Sequence, residues 1–189
     1  MIFFTAFTLQ HMYERIIFLL QQIKNGKKNA SITPSSKYLA KQMIKWIDWE
    51  KVDSVIELGA WTWIFTEYIC KHAKPTTKII VIEIEDVYAK ILQDKFKDRI
   101  IVEKDDVKNI DSIRQKHQIE KIDLIISWLP FIPAESIHHE IKTYTSQGTI
   151  FRSFTYQPSI FKKQYADFPI REIWFSFLNI PPARVYWIN

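Results

Sequence analysis

The stretch VDSVIELGAWTWIF, residues Val52 to Phe65, decides the fold. Its first part, Val52 to Leu58, is a short apolar run around one acid, Glu57, which is typical of a buried strand. A turn follows at Gly59, and a helix is predicted to begin near Thr62. In open α/β sheets the turn after the first strand binds a nucleotide-like ligand, because glycine permits a tight turn and close backbone approach. The stretch therefore predicts an α/β fold with a ligand site at this turn.

The turn resembles the E-x-G-x-G-x-G motif of the S-adenosylmethionine (SAM) dependent methyltransferases, carried here by Glu57, Gly59, Trp61 and Trp63. The resemblance implies that these four positions bind SAM. Tryptophan stands where the motif has its second and third glycines. An indole fits neither the positive φ that glycine adopts nor the space that the cofactor needs.

The composition shows the same exchange, with three glycines beside seven tryptophans, whereas globular chains average about 7% glycine. Some bacterial lineages are expected to read UGA as glycine. We therefore interpret several of the tryptophans as glycines in the organism, the candidates being Trp46, Trp61, Trp63, Trp128, Trp174 and Trp187. The alternative is a genuine tryptophan-rich chain that has lost its cofactor. UGG codons at positions 61 and 63 would contradict the recoding.

The length, net charge and cysteine count of the chain limit its domain organisation, its partners and its compartment. The 189 residues suit one domain, and a net charge of +5 with a pI near 9.1 favours an anionic partner. That partner is either nucleic acid or an acidic membrane surface. One cysteine rules out an internal disulfide framework and suits a reducing, cytoplasmic compartment. No obligate protein partner is indicated.

The first 30 residues are predicted to form an amphipathic helix and a basic segment ahead of a domain over residues 31–189. Apolar residues recur with helical period between Leu9 and Lys24, and the cluster Lys24, Lys27 and Lys28 follows. Such a pattern docks on anionic lipid. It equally suits a helix packed on the sheet beside a solvated lysine turn. Neither a transmembrane span nor a signal peptide is predicted.

The segment ITPSSKYLA, residues 32–40, precedes the first strand. It resembles the corresponding motif of the bacterial phospholipid N-methyltransferases, which methylate phosphatidylethanolamine. The resemblance implies that Ser35 and Ser36 contact the methionine end of SAM. By themselves, the two serines also fit a helix cap.

Acidic residues follow the next two predicted strands. Glu83 lies near the end of a strand over residues 78–85, 24 residues after Gly59, where such folds place the acid that binds ribose hydroxyls. Asp105 follows a strand over residues 99–103, and the resemblance implies that it binds the adenine amino group. Asp106 suits a cap for the helical segment that begins near Val107.

The fourth strand, Ile122 to Ser127, runs into SWLPF, residues 127–131. With glycine at position 128 this resembles the S-G-L-P pattern of the phospholipid methyltransferases, and it occupies the place of the N-L-P-Y motif of the ribosomal RNA adenine dimethyltransferases. In-line methyl transfer needs orientation, exclusion of water and a neutral amine. The resemblance implies that the amine is positioned by Ser127, Trp128, Leu129 and Pro130. No metal is required, and His138 and His139 are adjacent instead of at ligand spacing.

The end of the chain predicts a helix over residues 134–145, a strand over 149–155, a connecting segment with Pro158, and an antiparallel pair over 171–178 and 183–188. FTYQP, residues 154–158, and NIPPARVY, residues 179–186, resemble the endings of the same family. The resemblance implies that Tyr156 and Arg184 meet a lipid phosphate or amine. Arg184 equally suits a structural ion pair.

Together these features predict a Rossmann-like α/β fold, in which a seven-stranded, mostly parallel sheet has helices on both faces and an amphipathic helix precedes it. The predicted activity is SAM-dependent N-methylation of phosphatidylethanolamine by a cytoplasmic enzyme that is peripheral on the inner face of the membrane. The alternatives are a ribosomal RNA adenine dimethyltransferase, disfavoured because no helical RNA-binding domain follows the sheet, and a non-catalytic membrane-associated protein if Trp61, Trp63 and Trp128 are genuine.

Overall fold

The computed structural model of the chain describes residues 34–60, 63–129, 134–176 and 183–189. Residues Ser35–Asn189 form one compact unit that contains the whole sheet. The predicted N-terminal amphipathic helix and the predicted boundary at residue 30 lie outside the described residues.

One seven-stranded sheet organises the described chain, in the order β3-β2-β1-β4-β5-β7-β6. The first five strands pair in parallel, and β7 pairs antiparallel with both β5 and β6. The strands are β1 (Ser54–Leu58), β2 (Lys78–Ile82), β3 (Ile101–Glu103), β4 (Leu124–Ser127), β5 (Ile150–Thr155), β6 (Ile170–Ser176) and β7 (Ala183–Ile188). This confirms the predicted mostly parallel sheet and its antiparallel closing pair.

In the described ranges one α-helix precedes the sheet and five connect its strands: α1 (Pro34–Ile44), α2 (Ile64–His72), α3 (Asp86–Phe96), α4 (Ile110–Lys116), α5 (Ala134–Ser146) and α6 (Pro158–Gln164). The segment with Pro158, predicted as a plain connection, is therefore a short helix. Proline at the first helical position explains it, since its φ is already helical and its missing N–H has no intrahelical partner there.

The sheet is covered on both faces, as predicted. On one face, alternate strand residues such as Ile56, Ile80 and Phe151 form a single apolar cluster with α4, α5 and α6. On the other face, Glu57 bonds to α2 and Arg152 bonds to the end of α1. A strand buried on both sides reads as a continuous apolar run, which is why β1, β2 and β4 were recognisable in the sequence.

Several predicted boundaries are wrong by two or three residues. The strand predicted to reach residue 85 ends at Ile82, because Glu83 accepts a hydrogen bond from the N–H of Glu85 and the chain turns there. The strand predicted from Val52 begins at Ser54, and the helix predicted from Thr62 begins at Ile64.

Within the described ranges, no helix has the length and apolar character needed to cross a bilayer.

Candidate active site

The turn after β1 requires glycine at position 59. Gly59 has φ +71°, and its N–H donates to the carbonyl oxygen of Ile82 at 2.9 Å. A Cβ on Gly59 would lie 2.8 Å from Cδ2 of Leu129. A side chain at this position would be strained by the backbone and would force the side chain of Leu129, two residues beyond β4, to shift. The ends of β1 and β4 therefore meet closely at this edge of the sheet.

Two tryptophans occupy backbone positions that favour glycine. Trp63 has φ +46° and ψ −3° immediately before α2, and its N–H donates to the carbonyl of Ala60 at 2.8 Å. Trp46, two residues beyond the end of α1, has φ +62°. Positive φ is uncommon for any residue other than glycine, and bulky side chains rarely adopt it. The sequence predicted an unsuitable side chain at 63, and the backbone of Trp63 is left-handed, a conformation that favours glycine.

Glu57 is a fully buried carboxyl group beneath this turn. Its Oε2 accepts a hydrogen bond from Oγ1 of Thr66 at 2.7 Å, whereas Oε1 is buried with no partner. Burial, with a smaller contribution from the nearby Glu83, raises the pKa of Glu57 to about 8, although the hydrogen bond from Thr66 lowers it. An unpaired carboxyl oxygen at this depth suits a ligand that brings a hydrogen-bond partner, and a positive charge beside it would favour the ionised form of Glu57.

Glu83 joins the ends of β1 and β2. Its Oε2 accepts from the N–H of Ala60 at 3.1 Å and its Oε1 accepts from the N–H of Glu85 at 3.0 Å. The side chain is buried, and burial raises the pKa of its carboxyl group. Each carboxylate oxygen has a second lone pair, so the predicted ribose contact is compatible with these backbone bonds and stays a prediction.

Asp105 and Asp106, which follow β3, have different hydrogen-bond partners. Oδ1 of Asp106 accepts from the N–H of Lys108 at 3.1 Å, which confirms its predicted capping role. Oδ1 of Asp105 accepts from the N–H of Asp106 and from Nδ2 of Asn109, both at 2.7 Å. The Asn109 hydrogen bond lowers the pKa of Asp105, which keeps it a carboxylate. Its predicted contact with adenine remains a prediction.

The turn after β4 is fixed by backbone hydrogen bonds. The N–H of Trp128 donates to the carbonyl of Leu58 at 3.0 Å, and the N–H of Leu129 donates to Oγ of Ser127 at 3.3 Å. Ser127 is fully buried, so its hydroxyl orders the turn. The indole of Trp128 lies against two rings, with centroid separations of 3.2 Å to Phe65 and 4.9 Å to Phe154.

The two predicted substrate residues lie in different settings. The Tyr156 ring follows β5 and packs edge to face on Phe154 at 5.4 Å, beside the turn after β4. Arg184 donates from Nη1 to Oε1 of Glu172 at 2.6 Å and lies over the ring of Phe175. The ion-pair interpretation of Arg184 therefore describes its geometry.

Other predicted residues are only partly described. The backbones of Ser35 and Ser36 lie in the first turn of α1, but their side chains are outside the description. The remaining candidates, Trp61, Pro130, Lys24, Lys27 and Lys28, lie outside the described residues.

Sequence reasoning missed Thr66, the partner of Glu57, and Arg152, a fully buried cation in β5. Nη2 of Arg152 donates to the carbonyl of Lys45 at 3.0 Å, and its guanidinium stacks 4.2 Å from the Trp187 ring. Burial lowers the pKa of Arg152 to about 10. A basic residue inside the apolar strand IFRSFT was the available signal.

The described residues contain no group of three or more His, Cys, Asp or Glu side chains arranged to hold a metal ion.

A comparison with curated proteins gives a relative along nearly the whole chain. The chain is 31% identical over 185 residues to the ornithine lipid N-methyltransferase of Singulisphaera acidiphila, an alignment that covers 93% of this chain and 96% of that protein. No protein-family model matches the chain.

Solved structures with similar folds include methyltransferases. Aeropyrum pernix fibrillarin with natively bound SAM has a TM-score of 0.63 at 15% identity, covering 85% of this chain and 76% of its own. An O-methyltransferase from Bacillus cereus in complex with SAH has a TM-score of 0.59 at 10% identity, covering 90% and 87%. At these identities the likeness concerns the fold, which agrees with the strand order and with the turn after β1.

The whole-length relative, the methyltransferase fold and the acidic residues at the ends of β1, β2 and β3 agree with one another. The chain belongs to the ornithine lipid N-methyltransferase family and is a SAM-dependent methyltransferase.

Proposed function

We propose that this protein transfers a methyl group from SAM to the amine of a membrane lipid headgroup. The observation that carries the proposal is the 31% identity, over 93% of the chain, to a protein named for N-methylation of ornithine lipid. Two headgroups offer the required amine. Ornithine is favoured by that relative, and ethanolamine is favoured by the motifs ITPSSKYLA, SWLPF and FTYQP.

Bound SAM supplies an electrophilic methyl group on a sulfonium. In this proposal Glu83 binds the ribose, Asp105 binds the adenine, and Ser35 and Ser36 close over the methionine end. Glu57 supports the turn from below through Thr66. The sulfonium and the methionine amine are positive charges that favour two buried carboxyl groups in their ionised forms.

The chain contributes mainly orientation to the transfer. The hydrogen bonds of Trp128 to Leu58 and of Leu129 to Ser127 fix the turn after β4 at the same edge of the sheet as Gly59. A fixed turn beside the cofactor turn can hold an amine in line with the methyl group and exclude water. In this proposal Tyr156, which lies at the same edge and packs on Phe154, meets the headgroup.

Activity further depends, in this proposal, on glycine at the positions of Trp61, Trp63 and Trp128. The positive φ values of Trp46 and Trp63 support recoding at those two positions. The 3.2 Å separation between the Trp128 and Phe65 ring centroids supports a smaller residue at 128, since aromatic pairs pack at about 4.5–7 Å. Reading the gene tests this directly: we expect UGA at codons 46, 61, 63 and 128, and UGG at these codons would contradict it.

The enzymatic test compares the chain as written with a Trp61→Gly, Trp63→Gly, Trp128→Gly version. Calorimetric titration with S-adenosylhomocysteine is expected to show binding in the glycine version alone. Transfer of labelled methyl from SAM is then measured on vesicles containing ornithine lipid, on vesicles containing phosphatidylethanolamine, and on vesicles without a lipid amine. Labelling of either amine lipid supports the proposal and identifies the headgroup. Labelling of ribosomal RNA with neither lipid labelled would overturn it.

We also propose that the protein acts at an anionic membrane surface, where its substrate lies. The support is the net charge of +5 and the cluster Lys24, Lys27 and Lys28 after an amphipathic pattern. The alternative, a helix packed on the sheet, predicts that vesicle binding does not change when residues 1–28 are removed.

A further inference from the structure

Four aromatic side chains converge where β4 and β5 end. The register pairs Ser127 with Ser153, so the next residues, Trp128 and Phe154, lie side by side on the same face of the sheet. Phe65 comes from the first turn of α2 and covers Trp128, and Tyr156 follows β5 and packs on Phe154. All three contacts between these rings are edge to face, at interplanar angles of 76° to 82°.

The exposed fraction of these side chains increases from Phe65 to Tyr156. Phe65 is fully buried, Phe154 is 3% exposed, and Tyr156 is 36% exposed. The cluster therefore runs from the interior beside α2 to the surface at the carboxyl edge of the sheet. Ligands of open α/β sheets bind at that edge.

The indole of Trp128 lies in the middle of this cluster. Its ring centroid lies 3.2 Å from that of Phe65, whereas packed aromatic pairs are separated by about 4.5–7 Å. A glycine at this position would leave a slot beside Gly59 with Phe65 and Phe154 as its walls and Tyr156 at its mouth.

We propose that Phe65, Phe154 and Tyr156 form an aromatic site for the alkylated ammonium of the substrate headgroup, in the space that the Trp128 side chain fills. This inference rests on the proposed function, because that function supplies an amine that gains methyl groups. Aromatic faces attract cations, and quaternary ammonium ligands are recognised by such rings. The site thus assigns binding roles to Phe65 and Phe154, and it favours headgroups that already carry methyl groups.

The test measures binding of choline and of its neutral carbon isostere, 3,3-dimethylbutan-1-ol, to the full chain carrying Trp61→Gly, Trp63→Gly and Trp128→Gly. Titrations are made by calorimetry with saturating S-adenosylhomocysteine. Choline is expected to bind more tightly than the isostere. Phe154→Leu and Tyr156→Leu are each expected to weaken choline binding about ten-fold and to leave the isostere within about two-fold.

Matched variants separate charge recognition from packing. Phe154→Tyr keeps an aromatic face and is expected to keep choline affinity. Tyr68→Leu, on α2 where its ring stacks on His72, is expected to change neither ligand. If Trp128→Gly unfolds the chain by circular dichroism, the same series is run with Trp128→Ala. Equal affinity for choline and the isostere, or equal losses of both in Phe154→Leu, would overturn the site.

A second arm identifies which cation the rings meet. The ratio of SAM to S-adenosylhomocysteine affinity is expected to be unchanged in Phe154→Leu. A fall in that ratio would assign the rings to the sulfonium and contradict an ammonium site. Choline binding is measured without methyl transfer, so the two proposals can fail separately. If the enzyme methylates lipids but the Phe154 and Tyr156 variants bind choline as the parent does, this inference is wrong and the proposed function stands. If choline binding depends on these rings but no lipid is methylated, the aromatic site stands and the proposed function is wrong.

Discussion

Glu57 is a carboxyl group held inside the sheet with one oxygen bonded to Thr66 and the other without a partner. Its pKa rises from an ordinary 4.5 to about 8 because burial disfavours the charged form. The folded protein therefore keeps a proton on Glu57 at neutral pH, where the unfolded chain has lost it. Glu57 therefore couples proton binding to folding.

The raised pKa of Glu57 predicts how the free energy of unfolding changes with pH. Between pH 4.5 and about 8 the folded state binds more protons than the unfolded state, so the free energy of unfolding falls as pH rises. Glu57→Gln removes the titrating group and is expected to flatten this decline and to raise stability at pH 8. Urea denaturation at pH 5, 6.5 and 8, without cofactor, measures it. Glu67→Gln, at an exposed position on α2, is the control and should keep the parent slope.

The left-handed tryptophans give a second prediction at the residue scale. Trp46→Gly and Trp63→Gly are each expected to stabilise the fold by about 0.5–1 kcal/mol, because relief of a strained φ exceeds the added flexibility of the unfolded chain. Trp46 is the cleaner case, since its side chain is 60% exposed and loses little packing. Thermal unfolding of the single variants measures the effect.

Trp49→Gly is the matched control for those two substitutions. Trp49 lies in the 3₁₀ turn Trp49–Lys51 without a positive φ, and its ring lies near that of His72. Glycine there is expected to destabilise by roughly 1 kcal/mol. If all three tryptophans respond alike, backbone conformation does not explain the pattern.

At the scale of elements, two tyrosines show how helices are held on the sheet. The Tyr144 hydroxyl, on α5, donates to Oδ1 of Asp111 on α4 at 2.8 Å. The Tyr165 hydroxyl, just after α6, is buried without a partner. One hydroxyl joins two helices, and the other lowers the stability of the layer in which it lies.

Phenylalanine substitutions are expected to act in opposite directions at these positions. Tyr144→Phe should destabilise by about 1 kcal/mol, since it removes a hydrogen bond and leaves Asp111 with one donor fewer. Tyr165→Phe should be neutral or stabilising by up to about 1 kcal/mol, because it removes an unsatisfied buried oxygen. Chemical denaturation of both variants measures the difference. A larger loss in Tyr165→Phe than in Tyr144→Phe would contradict the assignment of partners.

Arg152 acts between elements as well. It bonds to the carbonyl of Lys45 just beyond α1, where the helix dipole favours a positive charge, and it stacks on Trp187 of β7. These contacts link α1, β5 and β7. The same contacts favour a genuine tryptophan at position 187.

At the scale of the whole molecule, net charge gives a prediction about the membrane. Replacing Lys24, Lys27 and Lys28 by glutamine reduces the net charge from +5 to +2 (5 − 3). Each lysine near an anionic surface contributes about 1 kcal/mol, so vesicle binding at low salt is expected to weaken by roughly 2–3 kcal/mol. Co-sedimentation with vesicles containing anionic lipid measures it.

The control for that prediction moves the same charge elsewhere. Lys41, Lys71 and Lys90 are exposed on α1, α2 and α3. Their replacement by glutamine gives the same net charge and is expected to weaken binding by a much smaller amount. Equal losses in the two triple variants would mean that total charge, and not the basic cluster, governs binding.

The sequence by itself determined the sheet and placed the candidate site at one edge of it. Continuous apolar runs predicted the buried parallel strands, and Glu57, Gly59, Glu83 and Asp105 marked the edge where the strands end. These signals are local, because burial on both faces and a turn at positive φ each constrain neighbouring residues directly. Helix α6 was not predicted because Pro158 is equally compatible with a loop and with the first position of a helix.

Tertiary structure alone decided which side chains meet across the sheet. Thr66 reaches Glu57, Leu129 lies over Gly59, and the rings of Phe65, Phe154 and Tyr156 gather around position 128. No local pattern contains these contacts, because they depend on strand register and on how α2 lies against the sheet. The pKa values of buried groups also depend on the assembled tertiary structure. The raised pKa of Glu57 and the lowered pKa of Arg152 arise mainly from desolvation by the assembled layers, which the chain acquires when it folds.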